Sequence, residues 1–442
     1  MKRLFAIMVL FAATLTTVRA QEEIKKTGIN FGPLPAVSFT SDLGVQYGAL
    51  LDIYQYGDGT YYPDYKWKIN VEASWYTKGN SVYHVFFDSK HLIPGIRVSA
   101  DLTYLGNKTT NFYGYNGASS LLVPELNKIV DGMGLYLMRR DDLRFELTTQ
   151  GKFGDSHWGW VAGLAFNRYQ TGNAVNKSLD PNTTSLYQIY VNHDIIPAAE
   201  AKGGNHLDFK LGVVYDTRDH ENNPTRGTNF EAFLLGSPDF LNGKRDYRND
   251  YLKLALHFKQ FFPVGQRIVI GAHLGFQGLI AGNAPFYSLQ TIQPINRKII
   301  ITDGLGSSTT VRGTVANRLQ GNSYAWANLE FRWTIVKFRW INQNWSIATN
   351  PFFDAGMVVT PYRPEQMKTL LADHTYVATV GDKVYTVADF YTQQSEKLHM
   401  GAGLGLHIIM NQNFNVGFEF AKCFDKNDNT GLGIRIGLNY IF

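Results

Sequence analysis

The chain has 442 residues, a formal charge of +5, 14% aromatic residues, 42 glycines and a single cysteine, Cys423. The near-neutral balance excludes a nucleic-acid footprint, and one cysteine excludes an internal disulfide framework. Beyond the first twenty residues no apolar run is long enough for a membrane helix.

Residues 1–20 read as a secretory signal. Lys2 and Arg3 precede an apolar run from Leu4 to Leu15, and Val18-Arg19-Ala20 offers a small-residue cleavage site. Loss of Lys2, Arg3 and Arg19 would leave the mature chain near +2 (5 − 3), since the segment carries no acids. Residues 21–34 read as a short periplasmic lead holding Pro33, and residues 35–442 as one domain.

From residue 35 the hydrophobic period is two. Trp67, Ile69, Val71, Ala73 and Trp75 alternate with Lys66, Lys68, Asn70, Glu72 and Ser74. Leu252, Leu254, Leu256 and Phe258 alternate with Lys253, Ala255, His257 and Lys259; Phe414, Val416, Phe418 and Phe420 with Asn415, Gly417 and Glu419. One apolar and one polar face is the strand pattern. In a secreted chain rich in aromatics and glycine it predicts an all-β transmembrane antiparallel barrel, with the apolar face toward lipid and the polar face lining the lumen.

About sixteen strands are predicted, near 35–41, 44–56, 64–78, 80–90, 95–106, 143–154, 158–170, 206–218, 226–236, 249–262, 266–280, 321–339, 345–359, 398–410, 413–424 and 430–442. Connections after even-numbered strands are short, as at Pro263-Val264-Gly265, Asn342-Gln343-Asn344 and Asn411-Gln412-Asn413. The long ones, near 107–142, 171–205, 281–320 and 360–397, follow odd-numbered strands. This asymmetry predicts short periplasmic turns, long outer loops and both termini in the periplasm of a bacterial outer membrane. Within the loops, 120–130 could hold a helical turn or two, and 375–390 reads as a hairpin turning at Gly381-Asp382.

The segment between the eleventh and twelfth strands contains Val311-Arg312-Gly313-Thr314. Downstream, Glu330 alternates with Leu329 and Phe331, and Asp354 with Phe353 and Ala355, so both acids face the lumen. A loop arginine with two inward acids predicts a loop folded into the barrel. Arginine suits the task because its planar fork bonds a carboxylate at two points and stays charged. The plain alternative is ordinary lumen charge. Between strands eight and nine, Pro224 presets a turn and Gly227 gives the freedom to re-enter a strand. Asp216, Arg218 and Asp219 read there as a rim charge cluster. The last strand is expected to put Ile434, Ile436, Leu438, Tyr440 and Phe442 toward lipid. Its Arg435, Gly437, Tyr440 and Phe442 also match the spacing by which outer-membrane barrels are handed to their assembly machine.

Taken in order, Phe112-Tyr113-Gly114-Tyr115-Asn116-Gly117, Asp216-Thr217-Arg218-Asp219, Asn223-Pro224-Thr225-Arg226-Gly227-Thr228-Asn229-Phe230, Val311-Arg312-Gly313, Phe352-Phe353-Asp354-Ala355-Gly356 and Gly401-Ala402-Gly403-Leu404-Gly405 are similar to motifs of one family. The chain resembles the membrane barrel of the BamA/TamA superfamily, the bacterial surface-antigen family of outer-membrane assembly and secretion barrels. That resemblance implies that Arg312 is the inward arginine of the sixth outer loop, with Glu330 and Asp354 as its partners on the wall. Two features depart from the family. Thr314 stands where an aromatic usually follows Arg-Gly, and only about fourteen residues precede the first strand, too few for client-binding periplasmic repeats.

The expected function is therefore an accessory role in outer-membrane protein assembly, insertion or export within a larger complex. Its partners would be outer-membrane lipids and other assembly or secretion proteins, with no nucleic acid and no cofactor. An underpaired junction between a short, proline-flanked first strand and the last could template another strand. The alternative is a passive pore or structural barrel plugged by the loop of Arg312. No enzyme is expected. His257 and His273 face inward on adjacent strands as lone wall residues, Asp219-His220-Glu221 lies in a short turn, no Gly-x-Ser-x-Gly occurs, and no metal-ligand spacing rises above chance.

Overall fold

Alternation over nearly the whole chain leaves each strand with one face that must avoid water, and a sheet closed on itself satisfies every strand at once. A computed structural model shows such a closure. It describes residues 25–442 except 63, 222, 243–247, 293–303, 307–308, 342, 411–413, 430, 439 and 441. The proposed signal therefore lies outside the described residues.

The barrel is a closed antiparallel sheet of sixteen strands. Strand β1 has two segments, Ile29–Pro35 and Ser38–Thr40, both pairing with β2 (Gly44–Gln55) in one continuous register. There follow β3 (Trp67–Tyr76), β4 (Asn80–Ile93), β5 (Ile96–Asn107), β6 (Leu137–Lys152), β7 (Trp158–Asn173) and β8 (Gly203–Asp216). The second half comprises β9 (Gly227–Ser237), β10 (Tyr251–Val264), β11 (Ile268–Gly282), β12 (Ser323–Trp340), β13 (Gln343–Thr360), β14 (His399–Met410), β15 (Phe414–Cys423) and β16 (Gly433–Leu438). Each strand pairs with its sequence neighbour, and β16 returns to β1.

Three boundaries differ from the sequence expectation by more than three residues. The first strand begins at Ile29, so the last six of the fourteen residues assigned to a lead already lie in the wall, Pro33 included. Strand β6 begins at Leu137 rather than 143. Its first turn of sequence, Met138-Arg139-Arg140-Asp141-Asp142, hides the alternation under charge. Arg140 nevertheless points inward, donating to the Tyr287 carbonyl at 2.7 Å and lying 4.9 Å from the Tyr169 ring. The last strand stops at Leu438, four residues short of the expectation.

Face assignment follows parity. Leu329, Phe331 and Trp333 are exposed on the outside of β12, whereas Asn328, Glu330 and Arg332 are buried within. Lumen charges pair between strands: Arg144 of β6 donates to Asp101 of the neighbouring β5 at 2.9 Å, and Lys210 of β8 reaches past β7 to Glu146 of β6 at 2.6 Å. At the short-turn end, Glu221 from the β8–β9 connection meets Arg97 of β5 at 3.0 Å, so this turn reaches across the opening.

The long connections share one apolar core. Phe112 and Tyr115 after β5, Tyr190 in the helix Leu186–Asn192, Phe286 after β11 and Tyr362 after β13 are all buried together. Asn116, in the left-handed conformation at φ 67°, stitches them. Its amide donates to the Tyr362 carbonyl at 2.8 Å and its backbone N–H to the Gln320 carbonyl at 2.7 Å. Residues 117–119 and 124–126 form short 3-10 turns, and Tyr376–Val380 pairs with Lys383–Thr386 as a hairpin.

Leu329 lies near the middle of β12, on the lipid side. Leu329→Arg is expected to destabilise the barrel by about 2–4 kcal/mol, the range for a cation at the bilayer midplane. The same change at the exposed loop residue Tyr376 should stay within about 0.5 kcal/mol. Urea unfolding in lipid vesicles, followed by tryptophan fluorescence, measures both.

Candidate functional site

The connection into β12 dips into the barrel at Val311-Arg312-Gly313-Thr314, and all four residues are buried. Small wall residues make room. A Cβ on Gly356 would lie 2.8 Å from the Val311 side chain, and one on Gly401 would strike the Arg312 carbonyl. Gly313 has φ +96°, and its own Cβ would sit 2.7 Å from the backbone of Lys422 and Cys423, so only glycine fits. Thr314, the residue that departs from the family pattern, closes the tip as a turn, its hydroxyl donating to the Val311 carbonyl at 2.6 Å.

Arg312 engages three acids on three strands. Its Nε and Nη2 donate to the two oxygens of Asp354 on β13, at 2.7 and 2.9 Å, and its backbone N–H adds a third bond at 3.0 Å. Nη1 donates to Glu330 on β12 at 2.7 Å and to Glu419 on β15 at 3.0 Å. The guanidinium lies 3.4 Å from the centre of the Phe352 ring. Burial opposes the charge, but the three carboxylates outweigh it and push the arginine's pKa above its ordinary value. Asn328 bridges loop and wall, donating to the Thr310 carbonyl and to Asp354.

Two further arginines balance the acids. Arg332 donates to Glu330 at 2.8 Å, and Arg435 to Glu419 at 3.0 Å. Three cations therefore meet three anions, which is the arrangement a buried cluster requires. Sequence reasoning brought Arg312, Glu330 and Asp354 together and missed Glu419, Arg332 and Arg435 as partners. A signal existed for Glu419, which sits on the polar face of a strand between Phe418 and Phe420.

Residues 142–442 match the model of the Omp85 superfamily domain. The chain belongs to the Omp85 superfamily. By sequence, no curated protein matches it. Among solved structures it is similar to BamA from Haemophilus ducreyi lacking POTRA domains 1–3, with 14% identity and a TM-score of 0.54 over 94% of this chain and 71% of that one. It is also similar to CdiB from Escherichia coli, with 11% identity and a TM-score of 0.56 over 95% of this chain and 64% of that one. At these identities the likeness is one of fold.

This Omp85 barrel departs from the sequence expectation at its last residues. Parity would send Tyr440 and Phe442 to lipid, but the chain leaves the sheet after Leu438 and turns inward. Arg435 lies against Gly437, where a Cβ would be 3.3 Å from its guanidinium, and donates to the Leu438 carbonyl at 2.9 Å. Tyr440 stacks on His407 with centroids 4.1 Å apart, and Phe442 lies 6.0 Å from Phe261 and 5.3 Å from His273. Arg332 holds both, 4.1 Å from the Tyr440 ring and donating to the Phe442 carbonyl oxygen at 2.7 Å. Cation–π contact with desolvated rings gains where exposed apolar surface would have gained only lipid.

The β8–β9 motif stands apart from this cluster. Arg218 forks onto Asp216 at 2.9 and 2.5 Å, and Asp219 accepts from the backbone of His220, Thr225 and Arg226. Gly227 has φ +102°, where a Cβ would collide with the Thr217 carbonyl. With Pro224 three residues before the re-entry at Gly227, these residues build the turn. His257 and His273 contact one another at 3.3 Å in the lumen, and His273 also meets Asn328.

Arg312→Ala would leave the buried Asp354 without a cation and take one partner each from Glu330 and Glu419, so a loss of about 3–5 kcal/mol is expected. Arg312→Lys, a point charge without a fork, should fall between that and the parent. Unfolding in lipid vesicles, read by loss of the compact species on unheated gels, tests the order.

Proposed function

We propose that this Omp85 barrel is an accessory in outer-membrane protein assembly, insertion or export, working within a larger complex. In this reading the long loops face the cell exterior, both termini face the periplasm, and the partners are outer-membrane lipids and other assembly or secretion proteins. One observation carries the proposal, namely the seam between the first and last strands. Register pairs join β6 to β7 from Met138↔Asn173 through Lys152↔Gly159. By contrast β1 and β16 share Phe39↔Ile436 and Thr40↔Arg435 alone among the described residues.

A seam this short is the weakest line in the wall, and parting it exposes the edge of β16, which no proline interrupts, to another chain. The latch of Arg312 supports the same reading, because it fixes β12, β13 and β15 as a firm half against which the seam could give. A passive pore is less well supported. The long-loop end is covered by the shared aromatic core, and the lumen beneath it is crossed by the Arg312 loop and the residues after β16.

Extraction in mild detergent after in-cell crosslinking is expected to recover other assembly or secretion proteins with the barrel, and depletion should lower the level of other outer-membrane proteins. Recovery of the barrel alone, with a large and steady single-channel conductance insensitive to Arg312→Ala, would favour the pore instead.

A further inference from the structure

The seam carries a second feature, set by the phase of two prolines. In β1 the even-numbered residues bond to β2: Gly28 donates to the Gly57 carbonyl at 2.7 Å and Ala36 to the Gly48 carbonyl at 3.0 Å. The register is unbroken from Ile29↔Gln55 to Thr40↔Gly44. Backbone groups of successive residues in a strand point to opposite neighbours, so the odd-numbered residues face the seam. Ser41 shows this phase directly, donating to the Ile434 carbonyl of β16. Pro33 and Pro35 are both odd. They leave the β1–β2 ladder intact and remove donors only from the seam edge.

The register of β16 identifies what those donors would have met. Phe39↔Ile436 and Thr40↔Arg435 sum to a constant, and continuing the same ladder places Leu438 opposite Val37, Tyr440 opposite Pro35 and Phe442 opposite Pro33. The two residues that would need the missing N–H groups are the two that turn into the lumen and dock on Arg332, His407 and Phe261. The outward side chains of this stretch, Ile29, Phe31 and Val37, are 53%, 67% and 64% exposed, so this edge belongs to wall whose outer face is turned to lipid. A backbone donor left unpaired in lipid is strongly unfavourable, and proline removes the donor itself.

We propose that Pro33 and Pro35 hold the seam of this barrel parted along its short-turn half. They prevent the last strand from zipping onto β1 and lower the penalty of leaving that edge bare, while Arg332 and Arg435 park the unzipped end inside. An incoming strand meets the same block, since between Ile29 and Val37 the edge offers carbonyls at every odd residue but N–H groups only at Ile29, Phe31 and Val37. The inference concerns backbone pairing, and it stands whether or not the barrel serves protein assembly.

The test pairs Val37→Cys with Leu438→Cys in a Cys423→Ser background and follows oxidation in lipid vesicles. With the prolines present, disulfide formation is expected to be slow and incomplete; with Pro33→Val and Pro35→Val together, several-fold faster. Tyr440→Ala with Phe442→Ala frees the end but leaves the prolines, and should leave the seam parted. The idea is overturned if oxidation is equally fast with and without the prolines, or if freeing the end alone closes the seam as fully. Hydrogen exchange on the unaltered protein gives an independent reading. The Val37 amide, opposite Leu438, should exchange far faster than that of Phe39, and equal protection of the two would refute the block.

Discussion

The barrel depends on what one guanidinium does in its interior. A loop that enters a lumen brings unpaired backbone and side-chain groups with it, and it stays only if the wall answers them. Arg312 answers for its loop by bonding to three strands at once, β12, β13 and β15, with its backbone N–H committed to the same carboxylate as its side chain. A lysine could satisfy one of these acids as a point charge. The planar fork is what lets two strands be addressed in one plane while a third is reached from the same nitrogen. The glycines of the wall follow from that commitment. Gly313, Gly356 and Gly401 lie where the loop tip touches the sheet closely enough that a methyl group would collide.

From the latch, charge balance leads to the last strand by two routes. Glu330 passes from Arg312 to Arg332, which holds Tyr440 and Phe442; Glu419 passes from Arg312 to Arg435, which holds the Leu438 carbonyl at the bend. The six charges sum to zero, and all are buried but Arg435, which is partly so. Removing any member leaves a neighbour uncompensated, so a disturbance at the loop tip is felt at the bend of β16 as an electrostatic consequence. This links the stiffest part of the wall to its weakest joint.

Much of this was legible in the sequence because period two is a strong signal when nothing masks it. Sixteen strands, the alternation of long and short connections, and the inward facing of Glu330 and Asp354 all rest on it. It failed where charge interrupts the pattern, as at Arg139-Arg140-Asp141-Asp142, where inward charges pair with the loop core instead of marking a loop. It failed again at the two ends, for opposite reasons. Prolines near residue 34 suggested a lead outside the sheet, although a strand with one bare edge tolerates them in one phase. At Tyr440 and Phe442 the alternation continues in the letters while the chain departs from the sheet. No local pattern announces that departure, because its cause is an arginine on β12, more than a hundred residues away in sequence.

That failure at the two ends is itself informative. A closed barrel should have no edge strands, and a sequence that places prolines in the edge phase of its first strand has kept one. The last strand compensates by burying its aromatic end where rings and a guanidinium replace the lost ladder. The two solutions fit each other in register: Pro35 stands where Tyr440 would pair, and Pro33 where Phe442 would. Were the prolines a casual feature of a flexible lead, they would have no reason to share a phase, and the lumen would have no prepared site for the residues they displace. Bare edge and buried end are therefore two halves of one arrangement, in which the wall is locked beside the loop of Arg312 and left unlocked a few strands away.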